Sequence, residues 1–203
     1  MIDVLAARPG EWQAAVTHSF LDDVRAGTLD ERAFDRWLVQ DRLFVDVLLR
    51  AQAGILAAAP PADRAVLVGG LAALVDELSW FEDVAQRRAL DLDVQSLPAN
   101  HEYGAFLLGL PSRPYVVAAS ALWAVERAYL DAWRSAAPGA AAYREFVEHW
   151  TVPGFADYVD GLQANADRAW AAAADGDELA AAEMAVLAVA RHEAAFWQMA
   201  YAD

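Results

Sequence analysis

A chain of 203 residues that is 58% hydrophobic and 22% charged can bury a sizeable core, which excludes a disordered polymer. Its net charge of −15, without any cluster of Lys or Arg, argues against nucleic acid or an anionic membrane surface as a partner. The lack of cysteine excludes disulfides, thiolate metal sites and a cysteine nucleophile, and it fits a cytoplasmic location.

Abundant alanine, with Gly and Pro clustered into a few breaks, points to an all-α protein of seven to eight helices in a single domain spanning 1–203. Met1–Leu5 has no basic stretch followed by a long apolar run, so no signal peptide is expected. The first helix is predicted over Glu11–Arg25, closed by Gly27. Thr28 and Glu31 have capping-box spacing and open a second helix to Ala58, which Pro60-Pro61 ends. Asp63 is the expected cap of a third helix reaching about Ala89. After a loop over 91–99 come a short helix from Asn100 to Leu108 and a turn at Pro111–Pro114. Tyr115–Ser135 is the fifth helix; its apolar run to Val125 is too short to cross a bilayer. Shorter and longer helices are predicted over Ala140–Trp150, Phe155–Ala173 and Leu179–Tyr201. Gly69-Gly70, in a helical context, reads as close packing rather than a phosphate loop.

Four carboxyl groups stand at helical spacing from aromatic rings. Glu193 precedes Phe196 and Trp197 by three and four residues, so all three share a face. Asp41 lies between Trp37 and Phe44, and Glu126 interrupts an apolar run between Trp123 and Tyr129. Glu77 precedes Trp80 and Phe81 and is a weaker candidate. A carboxyl group among aromatic rings is poorly hydrated, which raises its pKa toward the range useful for proton transfer. Each could instead pair with an arginine: Asp41 with Arg36, Arg42 or Arg50, and Glu126 with Arg127. Taken together, the faces of separate helices converge inside a bundle and predict an acidic, aromatic-lined cavity for a flat, nitrogen-bearing ligand. No Glu-x-x-His pair is present, so neither a metal nor another cofactor is expected. His18 and His149 read as surface or capping residues.

These residues resemble the TenA, or thiaminase II, family of the haem-oxygenase-like fold along nearly the whole chain. Trp12–His18 and Phe20 match its opening helix, and Gly27-Thr28-Leu29, Phe34 and Gln40-Asp41 match its second segment. Asn100-His101-Glu102-Tyr103 matches an Asn-x-x-Tyr element, and Glu193 to Tyr201 matches the closing signature. The resemblance implies salvage of the pyrimidine half of thiamine, by hydrolysis of aminopyrimidines to the hydroxymethylpyrimidine. It implies that Asp41 holds the ring nitrogen and amino group, that Glu193 moves protons at the leaving amine, and that Phe44 and Tyr103 line the ring. Trp123, Trp150 and Phe196 are the further aromatic candidates for the substrate site. The better-known branch carries a cysteine nucleophile on the helix that here reads Ala121–Glu126; Glu126 resembles the cysteine-free, glutamate-containing branch. The resemblance also implies a homo-oligomer, dimer or tetramer. The alternative reading is a non-catalytic member that binds a small aromatic ligand or acts as a regulator through a partner.

Overall fold

The computed structural model describes residues 4, 5 and 8–202. Met1–Asp3, where most of the reading of the N-terminal segment falls, lie outside the described residues. Nine α-helices lie within them: α1 Pro9–Val16, α2 Ser19–Ala26, α3 Glu31–Ala58, α4 Arg64–Arg88, α5 Pro98–Gly109, α6 Tyr115–Ala136, α7 Arg144–His149, α8 Pro153–Ala172 and α9 Gly176–Tyr201. A single 3-10 turn, Leu110–Ser112, joins α5 to α6. No strand occurs among the described residues, and none of their helices is long and apolar enough to cross a membrane.

The expected first helix is in fact two. The chain extends at Thr17-His18, and the His18 imidazole Nδ1 accepts the Phe20 backbone N–H at 3.1 Å, starting α2 afresh. Gly27 closes α2 in the left-handed region at φ 76°, where a side chain is disfavoured. The capping box predicted at Thr28 does not form. Asp30 caps α3 instead, accepting from Arg32 N and Ala33 N, while the Thr28 hydroxyl donates to Asp23. Asp175, read as part of a break, caps α9 through Asp177 N.

Helix α6 is the axis of the molecule. It packs against α1, α2, α3, α8 and α9, and every residue from Val116 to Glu126 is buried. Its apolar run is therefore a helix covered on all sides. Beside it, Trp37, Trp133, Trp150 and Trp197 form a core of rings 4.8–6.5 Å apart, joined by Phe20 and Phe34. This cluster anchors α3, α6, α7 and α9 in one arrangement, so the faces that carry Asp41, Glu126 and Glu193 have fixed directions.

Asp63 also departs from its predicted role. Its carboxylate makes no cap bond; it accepts from Arg168 of α8 at 2.8 Å and from the Tyr115 hydroxyl of α6 at 2.9 Å. One residue, 2% exposed, thus ties the start of α4 to two other helices. Asp63→Ala removes both charge-assisted bonds and is expected to lower stability by roughly 2–3 kcal/mol, read as a lower urea midpoint at unchanged slope.

Candidate active site

A cavity of about 790 Å³ opens between α4 and α8 and reaches α3, α6 and α7. Helix α3 lines it with Asp41, Phe44, Val45 and Leu48, at i, i+3, i+4 and i+7 along a single stripe. Helix α4 adds Glu77 and Trp80 and, higher up, the small residues Ala65, Gly69, Gly70 and Ala73. Helix α6 adds Val125, Glu126 and Tyr129; α7 and its end add His149 and Trp150; Phe155 and Tyr158 come from α8. The two glycines play different parts. A Cβ on Gly70 would lie 2.3 Å from the Tyr158 hydroxyl, so glycine lets α4 and α8 meet. Gly69 has nothing within 4 Å of that position and leaves the cavity wide.

No lysine or arginine lines the cavity. Each arginine considered as a partner for its acids is engaged elsewhere: Arg50 with Asp46, Arg42 with Glu82, Arg127 with Asp131, and Arg36 with the Ala200 carbonyl. The acids instead take aromatic donors from other helices. The Tyr129 hydroxyl donates to Asp41, Tyr103 donates to Glu193 at 2.7 Å, and the Trp150 indole N–H donates to Glu77 at 2.6 Å. Glu126 is the exception: its Oε1 is buried with no hydrogen-bond partner.

A carboxylate removed from water without a countercharge holds its proton. Burial pushes Glu126 and Glu193 up to about 8 and Glu77 to about 7. Asp41 is raised well above its usual value by burial, against the lowering effect of its bond to Tyr129, with Glu77, Glu193 and Glu126 each adding repulsion. That mutual influence places the four groups in one electrostatic cluster. At neutral pH it holds protons to give, beside oxygens able to accept N–H donors.

The predicted site residues divide into two layers. Asp41, Phe44, Glu126 and Trp150 are on the cavity wall. Tyr103, Glu193 and Phe196 lie one layer behind: Phe44 touches the Tyr103 ring at 4.8 Å and the Phe196 ring at 5.6 Å, and neither of these nor Glu193 reaches the wall. Trp123 is fully buried in the core away from the cavity, whereas its counterpart Tyr129 faces in. His149, read as a surface or capping residue, stacks flat on Trp80 at 4.0 Å and joins the wall. Phe155 and Tyr158 were not singled out by the sequence; their only signal is helical spacing from Leu162, shared by many core residues.

The pH dependence of stability follows from the raised values. Each carboxyl group binds its proton more tightly in the folded chain, so its favourable contribution is complete below the ordinary carboxyl pKa and is lost as pH rises through about 7 to 8. The unfolding free energy is expected to fall between pH 5 and pH 8, by at most about 1.4 kcal/mol per pH unit for each group, read as a lower urea midpoint. Glu126→Gln, neutral throughout, is expected to fall less steeply than the wild type over the same window.

Residues 8–203 match the TENA/THI-4/PQQC family. A Glycine max protein named as a probable bifunctional TENA-E protein is 33% identical over 200 residues, covering 93% of this chain and 87% of that protein. A TenA homologue from Pyrococcus furiosus superposes with a TM-score of 0.93 at 25% identity, covering 98% of each chain. A TenA family transcription regulator from Silicibacter sp. TM1040 has the same fold, with a TM-score of 0.90 at 18% identity over 100% of this chain and 96% of its own. The bundle is all-α and haem-oxygenase-like, with one helix more than its breaks predict, and the chain belongs to the TENA/THI-4/PQQC family.

Proposed function

We propose that this protein hydrolyses an aminopyrimidine derived from thiamine, releasing an amine and leaving the hydroxymethylpyrimidine, without a cysteine nucleophile. The observation that carries the reading is a cavity that combines three inward carboxyl groups, Asp41, Glu77 and Glu126, and the exposed Asp76 and Asp157, with aromatic rings and no lysine or arginine. Such a wall favours a flat ligand that brings its own N–H donors or positive charge. Membership of the family and the likeness to a TENA-E protein support the same class of chemistry.

In this reading Asp41, oriented by Tyr129, pairs with the ring nitrogen and amino group of the pyrimidine, while Phe44 and Trp150 contact its faces and edges. Water attacks the exocyclic carbon, a C–O bond forms, and the C–N bond breaks with its electron pair passing to nitrogen. The departing amine needs a proton. Glu126 offers one from the wall, and Glu193, bonded to Tyr103 in the layer behind, is the second carrier. The cavity is larger than a pyrimidine requires, so substituents on the leaving amine can be accommodated toward Ala65, Gly69 and Ala73.

Glu126→Gln and Glu193→Gln are each expected to cut release of ammonia from 4-amino-5-aminomethyl-2-methylpyrimidine by roughly 10²–10⁴-fold. Binding of the hydroxymethyl product, read by calorimetry, is expected to change far less, since proton transfer is realised in the transition state. A wild type that binds the product and releases no ammonia would establish a binding protein in place of a hydrolase.

A further inference from the structure

Hydrolysis as proposed consumes one proton at nitrogen and frees one from water, so the wall must hold a base as well as an acid. Five carboxyl groups line the cavity; Asp76 and Asp157 are exposed to solvent, and the three that lie inside, Asp41, Glu77 and Glu126, are not equivalent. Asp41 is occupied by the Tyr129 hydroxyl. Glu126 has an oxygen without any partner, which leaves its anion unsupported. Glu77 is different: its Oε1 accepts the Trp150 N–H at 2.6 Å, with His149 Nε2 4.0 Å away. A donor fixed on a carboxylate stabilises the ionised form. Glu77 also keeps 17% of its side chain exposed and His149 keeps 30%, so the pair connects the cavity to solvent, where Glu126 does not.

We propose that Glu77 is the general base of this site, taking the proton of the attacking water while Glu126 protonates the leaving amine. This rests on the hydrolase reading above. As the C–O bond forms, water's proton passes to the Glu77 carboxylate; as the C–N bond breaks, the Glu126 carboxyl proton passes to nitrogen. The cycle closes when Glu77 returns its proton, by way of solvent beside His149, and Glu126 is reprotonated.

The groups facing Glu77 support that division. From α3 comes Asp41, and the nearby Arg42 is turned to Glu82. From α6 come Glu126 and Tyr129, each raised in part by the charge of Glu77. From α8 come Tyr158, likewise raised in part by Glu77, and the exposed Asp157. His149 is lowered by burial, against Glu145, and so stays neutral beside Glu77 near pH 7. Ionising Glu77 therefore pushes Glu126 further toward its protonated form, which keeps the acid loaded when the base is ready.

The test is the pH–rate profile of ammonia release from the aminomethylpyrimidine. The wild type is expected to lose rate on the acid side as Glu77 is protonated. Glu77→Gln is expected to lose roughly 10²–10⁴-fold in kcat with KM little changed, and to lose that acid limb. Trp150→Phe removes the N–H donor and is expected to move the acid limb to higher pH, a displacement that a merely structural role would not cause. Circular dichroism and product binding establish that the variants fold. A wild type that turns over while Glu77→Gln keeps its rate and acid limb, or a Trp150→Phe limb that does not move, overturns this inference alone. A wild type that releases no ammonia overturns the hydrolase reading and this inference together.

Discussion

Carboxyl groups taken out of water must be paired with a cation, bonded to donors, or protonated, because an unsupported buried anion costs several kcal/mol. This molecule gathers Asp41, Glu77, Glu126 and Glu193 from four different helices into one electrostatic cluster, and supplies no lysine or arginine to the cavity that the first three line. Three of them receive one neutral aromatic donor each, from Tyr129, Trp150 and Tyr103. Neutral donors orient a carboxyl group without cancelling its charge, so the protons stay within the physiological range instead of being expelled. The rest of the architecture serves this arrangement. The ring cluster around Trp37 sets the helix directions, and the close approach at Gly70 joins α4 to α8 beside the opening.

The two layers of the site have distinct physical roles. The wall meets whatever enters, and it is uneven: Glu126 lacks a donor, Glu77 has one and an outlet to solvent, and Asp41 is braced by Tyr129. The layer behind holds Glu193, bonded to Tyr103; the charge of Glu193 raises Asp41 and Glu126 without contact. Groups of one chemical type thus acquire different proton affinities from their surroundings, which is how acid and base roles can be separated among carboxyl groups on one wall.

Much of this was legible in the chain. Glu31–Ala58 is bounded by an acidic start and Pro60-Pro61, and its limits are the predicted ones. Asp41 and Glu126 were identifiable because a carboxylate three or four residues from large rings lies beside the buried face of its helix. The split after Val16 was not legible: neither Gly nor Pro marks it, and the cap is an imidazole nitrogen, an uncommon acceptor there. Trp123 and Tyr129 flank Glu126 at equal distance in sequence, yet they lie about 120° apart around the helix. Only the crossing of α6 with its neighbours decides that one enters the core and the other the cavity. The same limit hid His149, Phe155 and Tyr158, whose orientation depends on how α7 and α8 dock and not on local pattern.

The central claim is that the acidic wall recognises the amino edge of a pyrimidine. It is tested most directly by calorimetry on the wild type with two ligands, the 4-amino-5-hydroxymethylpyrimidine and an isostere in which a methyl group replaces the ring amino group. Loss of a charge-assisted hydrogen bond and the burial of an unpaired acceptor predict binding of the isostere weaker by roughly ten- to a hundredfold. Equal affinity for the two ligands would contradict the account.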